Sequence, residues 1–261
     1  DFAAKYGHLG LHWMQVGAQN ADGLCYYDIV RGGMDKGVGL ADLCEKMGLT
    51  LADAVAAGDS ANDVAMLKAA GLGCCMANGT PDAKAAADRI IGDVREDGLA
   101  ALIEELWKKI SRYSPHTQLA ILNYIRFRSG EYQREMYEIM MDKKADKELR
   151  LSAIRYCGKY PYEPAYGPLL AFVEDKDDTK WEFATVAASS LASYEGAAVI
   201  DALKEALHSS NWYVRYAAAQ SLEHLHVNYG DVVDITAGSD RYAREMLMYR
   251  LESRKLQSLE V

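Results

Sequence analysis

Residues 54–67 read AVAAGDSANDVAML: small apolar residues, a tight acidic loop, then the opening of an amphipathic helix. The short apolar run ahead of Gly58 reads as a strand buried on both sides, because it lacks the alternation of a half-exposed one. Asp59, Asn62 and Asp63 fall where that strand would surface. In an open α/β sheet, ligands bind beyond the carboxyl ends of the strands, so this loop is a candidate site. Gly58 permits the tight turn. Asp59, first after the strand, is the candidate metal ligand, and a hard carboxylate oxygen suits Mg²⁺. Asn62 can donate to an anionic substrate, and Asp63 can orient the loop. The helix start that follows also favours anions.

Outward from this stretch, residues 20–110 alternate short apolar runs with helical ones. GLCYYDIV (23–30) reads as a strand, and KGVGLADLCEKMG (36–48) as a helix with a glycine stop. ANDVAMLKAAG (61–71) is a second helix and GLGCCMA (71–77) another strand. TPDAKAAAD (80–88) is a helix opened by Thr80 as cap with Pro81 in its first position. RIIGDV (89–94) is a last short strand before the helix DGLAALIEELWKKI (97–110). Apolar strands alternating with helices imply a parallel sheet covered on both faces. Lys36 stands at the opening of the helix after the first of these strands. There it is a counter-charge for a phosphate beside a Mg²⁺ site.

From about residue 115 the strand signal stops and helices follow one another. WEFATVAASSLASY from Trp181 aligns on WYVRYAAAQSLEHL from Trp212. Trp meets Trp, Phe183 meets Val214, Ala187 and Ala188 meet Ala218 and Ala219, and Leu191 meets Leu222. A weaker copy, LRLSAIRYCGKY, starts at Leu149. Spacings of about 31 to 34 residues are what stacked helical pairs produce. The last helix, near the end of the chain, is expected to cap the stack.

The 261 residues suffice for two ordinary domains, divided here as 1–110 and 111–261. Acids outnumber bases 38 to 29, which argues against a nucleic-acid binder. No apolar run is long enough to span a bilayer, so no membrane association is expected. Cys25, Cys44, Cys74, Cys75 and Cys157 show no metal spacing and read as reduced thiols in a cytoplasmic protein.

The runs DIVRGGMDKGVGLADLCEKMGL, AVAAGDSANDVAMLKAAGLGCCMANGTPDAKAAAD and EDGLAALIEEL resemble the carboxyl-terminal part of Cof-type phosphatases of the haloacid dehalogenase superfamily. The likeness covers about residues 20–106. It implies a partial Rossmann-like α/β core, with residues 1–27 as the end of a cap. It also implies a Mg²⁺-dependent phosphatase acting on a phosphorylated small molecule. Lys36 would stabilise the transferred phosphoryl group, Asp59 would be the acidic Mg²⁺ ligand, Asn62 a phosphate contact and Asp63 the loop's support. The second half, over 115–226, resembles HEAT repeats of the short, PBS-lyase type. The signature is Val214-Arg215 followed by Ala218, Ala219 and Leu222. That resemblance implies an all-α solenoid with a protein partner, for which Trp181, Trp212, Tyr213 and Tyr216 are candidate anchors.

Such phosphatases attack with an aspartate from a DxDGT-type motif, and none precedes residue 20. Asp175-Lys176-Asp177-Asp178-Thr179 imitates it poorly: Asp178 replaces the turn glycine and Lys180 an apolar residue. The expectation is therefore half an active site, incompetent alone. A fragment of a longer enzyme, a degenerate pseudoenzyme and a partial or fused gene product all fit. The alternative function is a non-catalytic scaffold working through its repeats.

Overall fold

The structure, a computed structural model, describes residues 5–16, 22–24 and 26–257. Cys25, and residues 1–4 and 17–21 of the segment read as the end of a cap, lie outside the described residues. The chain divides into two compact units, 1–121 and 122–261.

Among the described residues the first unit holds two separate sheets. Strands β1 (Leu11–Val16) and β2 (Tyr26–Arg31) pair antiparallel, with Leu11 opposite Arg31 and Val16 opposite Tyr26. Strands β3 (Val55–Gly58), β4 (Leu72–Met76) and β5 (Arg89–Ile91) form a parallel sheet in that order. The strand read at 23–30 therefore exists but does not join the parallel sheet. Its side chains explain why: Tyr26, Tyr27 and Ile29 are each at least half exposed. A parallel sheet demands strands covered on both faces.

In β4 that cover extends over Gly73–Met76. Cys74 and Cys75 point to opposite faces, and neither is accessible. On the Cys75 side the core is Ala56, Leu67, Ala70 and Ala83. It is supplied by β3, by α2 (Val64–Ala69) and by α3 (Pro81–Ala86). On the Cys74 side, burial pushes the thiol up, and Arg89, Asp88 and Glu105 are its charged neighbours. Glu105 belongs to α4 (Gly98–Trp107), which packs on β5. Gly73 is required by the close approach of α2: a Cβ there would sit 2.1 Å from the Leu67 carbonyl oxygen.

The helix starts follow their caps. In α1 (Lys36–Lys46) the Asp35 carboxylate accepts from the Val38 N–H at 2.8 Å, and the chain leaves through Gly48 at φ +68°. Thr80 Oγ1 accepts from the Ala83 N–H at 3.4 Å, with Pro81 in the first position of α3. The helix expected from Ala61 is instead a 3₁₀ turn, Ala61–Asp63, leading into α2. The reason is local, since the Asp63 side chain is drawn back into the preceding loop.

In the second unit the helices succeed one another. They are α5 (Pro115–Arg128), which spans the division, α6 (Gln133–Met141), α7 (Lys147–Lys159), α8 (Tyr166–Glu174) and α9 (Trp181–Leu191). Then come α10 (Ala197–Ala206), α11 (Trp212–His224), α12 (Val233–Thr236) and α13 (Arg241–Gln257). Helix α9 packs between α7 and α11, and α13 packs on α11. The aligned alanines Ala187, Ala188, Ala218 and Ala219 are all fully buried. The aligned serines also act alike: Ser190 Oγ donates to the Ile154 carbonyl at 3.1 Å and Ser221 Oγ to that of Ala188 at 2.8 Å. Each repeat thus hydrogen-bonds the backbone of the one before it. In α13, Leu247 and Leu251 are buried, and the helix packs on α11.

Candidate active site at the end of β3

Strand β3 stops at Gly58 because the chain must fold back on itself there. A Cβ on Gly58 would lie 2.5 Å from the Asp63 Cβ. Asp63 turns inward and is only 4% exposed. Its Oδ2 accepts from the Asp59 N–H at 3.0 Å and from the Ser60 N–H at 3.1 Å, and the Ser60 hydroxyl lies within reach at 3.1 Å. Its Oδ1 accepts from Lys36 Nζ at 2.5 Å, which joins the start of α1 to the loop. Burial by itself would raise the Asp63 carboxyl. The Lys36 hydrogen bond, the two backbone donors and the Lys36 charge outweigh it, and hold the group below the ordinary aspartate value.

Asp59 and Asn62 occupy the same loop with less cover. The Asp59 carbonyl accepts from the Thr80 N–H at 2.8 Å, which ties the loop to the start of α3. The Asp59 carboxylate is exposed and makes no hydrogen bond or ion pair among the described residues. Asn62 is half-buried, and its Oδ1 accepts from Ser60 Oγ at 2.9 Å. The four expected residues are therefore gathered at one strand end, with Lys36 and Asp63 in direct contact. Ser60, which ties Asn62 to Asp63, was passed over in the sequence. Its signal was the S-x-x-D spacing of a capping box, formed here by Ser60 and Asp63.

Among the described residues no three His, Cys, Asp or Glu side chains gather into a group able to hold a metal ion. Mg²⁺ takes one or two carboxylates and completes its shell with water and phosphate oxygens. The donor chemistry of the loop thus fits one Mg²⁺ ligand, Asp59, and supplies no second.

The acidic run at 175–179 is a loop between α8 and α9. Lys180 Nζ pairs with Asp175 at 2.9 Å and Asp177 at 3.2 Å, and Asp177 Oδ1 accepts from the Thr179 N–H. Those carboxylates are spent on local structure. Of the aromatic anchors, Trp212 and Tyr213 are each 56% exposed. Trp181 stacks on Tyr213 with ring centres 5.2 Å apart, and Tyr216 on Trp212 at 5.1 Å, and both are half-buried. Cys44, Cys74, Cys75 and Cys157 are free thiols, all buried. No helix among the described residues is long and apolar enough to cross a membrane.

Two stretches of the chain match separate family models. Residues 18–103 match the family model of haloacid dehalogenase-like hydrolases. Residues 136–223 match that of HEAT repeats. A phosphoglycolate phosphatase of Methanopyrus kandleri is 40% identical over 77 residues, 30% of this chain and 33% of that protein. The 5-amino-6-(5-phospho-D-ribitylamino)uracil phosphatase YcsE of Bacillus subtilis is 45% identical over 71 residues, 27% of this chain and 28% of that protein. This chain thus spans about a third or less of the length of either relative. Among solved structures, a haloacid dehalogenase-like hydrolase from Bacteroides thetaiotaomicron overlaps with 30% identity and a TM-score of 0.34, over 40% of this chain and 37% of that one. The two stretches are thus similar to two different families: residues 18–103 to haloacid dehalogenase-like hydrolases, and residues 136–223 to HEAT repeats.

Proposed function

We propose that residues 1–110 carry the metal and phosphate side of a Cof-type, Mg²⁺-dependent phosphate-ester hydrolase, and that residues 111–261 are an appended repeat domain. The observation that carries this reading is the Lys36–Asp63 contact beside an unpaired Asp59 at the end of β3. Asp63 holds the Lys36 ammonium at the mouth of the loop, where it offers charge to a phosphoryl oxygen. Asn62 offers amide donors to the same group, and Asp59 is the ligand for Mg²⁺, whose contribution when bound is to neutralise phosphate charge. The substrate class is a phosphorylated small molecule, as the names of the relatives suggest, and the buried free thiols support a cytoplasmic setting.

A group that attacks phosphorus is a separate requirement. No DxDGT-type segment occurs among the 261 residues. The chain by itself is therefore expected not to turn over an aryl phosphate with Mg²⁺. A form extended ahead of residue 1 by a strand ending in DxDGT is expected to do so. In that form Lys36→Ala lowers kcat by about 10²–10³-fold, the usual cost of one electrostatic donor. An inactive extended form, or one indifferent to Asp59→Asn, rejects the reading.

A second reading is a binding scaffold. Trp212 and Tyr213 support it, since exposed aromatics side by side are the residues that dominate interface energetics. A protein partner captured by the full chain should be lost on Trp212→Ala. Capture of the same proteins by that variant counts against the surface.

A further inference from the structure

Ser60 sits between two acceptors and has one proton to give. Its Oγ lies 2.9 Å from Asn62 Oδ1 and 3.1 Å from Asp63 Oδ2. The two acceptors are unequally served. Asp63 already has Lys36 on one oxygen and two backbone N–H groups on the other. Asn62 Oδ1 has no other donor among the described residues, and the Ser60 contact is the shorter of the two. A carboxamide presents opposite chemistry at its two ends, an acceptor oxygen and a two-proton donor nitrogen. With the oxygen held by Ser60, the nitrogen is the end left to face outward, in the loop that carries Lys36 through Asp63.

We infer that Ser60 is a positioning residue for substrate recognition: it holds the Asn62 carboxamide oxygen inward, so that its nitrogen is aimed at an anionic oxygen beside Lys36. The inference rests on the phosphate-site reading above and deepens it. Without the hydroxyl, the amide is free to rotate and to offer its oxygen to the anion, which repels it. Ser60 touches no substrate atom in this role, and its whole effect passes through Asn62.

Titration of the full chain with inorganic phosphate, followed by NMR of the Asn62 side-chain amide, tests this. In the wild type the Asn62 NH₂ resonances are expected to shift on binding. Ser60→Ala is expected to weaken phosphate binding about three- to ten-fold, the worth of one hydrogen bond, and to abolish that shift. Ser60→Thr keeps the hydroxyl and should restore both. The loss should vanish in an Asn62→Ala background, because a residue acting only through Asn62 has nothing left to position. An equal loss in both backgrounds would mean that Ser60 works through Asp63, and overturns the inference. Unchanged binding in Ser60→Ala overturns it too, while leaving the phosphate site standing. A wild type that binds no phosphate overturns both. Where Asn62→Ala removes binding altogether, the amide resonance decides alone.

Discussion

Asp63 is the residue on which the loop depends, since the Lys36 ammonium and two backbone N–H groups converge on its two oxygens, with the Ser60 hydroxyl beside them, and almost none of it meets water. Such a group stabilises the fold as an anion. Replacing it by Asn removes the charge at nearly constant volume, and should cost about 1.5–3 kcal/mol at neutral pH, the range for hydrogen bonds to a charged group. The pH dependence follows from its lowered carboxyl. The stabilisation is fully present above the unfolded aspartate value of about 3.9, and is lost as pH falls through the lower folded value. Urea midpoints of wild type and Asp63→Asn should therefore differ at pH 7 and converge below about pH 4. A gap that stays constant down to pH 2 would show that the charge is not its source.

At the scale of elements, legibility depended on whether the deciding contacts are local. The glycine stop of α1, the Thr80-Pro81 start of α3 and the 31-residue echo of Trp181 in Trp212 are local or periodic signals, and each corresponds to an element. The partner of β2 is not a local property. Its apolar run fits a sheet interior equally well, and only the antiparallel pairing with Leu11–Val16 leaves Tyr26 and Ile29 in water. The candidate site stood out by residue type and order, but Asp63 read as loop support without the 27-residue reach to Lys36 that gives it its charge partner. Close helix approach was legible only as an excess of small residues. The structure locates it: a Cβ on Gly158 of α7 would lie 2.6 Å from Ser190 Oγ of α9. Gly158→Ala should consequently destabilise the stack by about 1–3 kcal/mol, the cost of overpacking, despite the better helix propensity of alanine. Thermal unfolding of the variant measures this, and an unchanged or raised Tm would mean that α7 and α9 move apart freely.

At the scale of the whole molecule, the chain is two cores with different sources of cohesion. The first is a short parallel sheet whose loop is clasped by an ion pair. The second is held by repeat contacts and by two buried tyrosines. Tyr156 Oη donates to the Ser129 carbonyl at 2.7 Å and accepts from the Tyr132 N–H at 3.0 Å. Tyr194 Oη does the same with the Cys157 carbonyl at 2.9 Å and the Tyr162 N–H at 3.1 Å. Burial pushes both hydroxyls up to about 12. Their raised values stabilise the fold fully below the unfolded value of about 10, and that stabilisation is lost as pH rises through about 12. Tyr156→Phe strands a loop N–H and a carbonyl at once, and should cost about 1–3 kcal/mol. Hydrogen exchange read by mass spectrometry resolves where each loss falls. Each 1.4 kcal/mol corresponds to roughly ten-fold faster exchange in the residues that open together. Asp63→Asn should accelerate exchange in Leu72–Met76 and leave Lys147–Lys159 unchanged, whereas Tyr156→Phe should do the reverse. If either substitution accelerates both segments equally, the chain opens as one cooperative body, and the two cores share their stability.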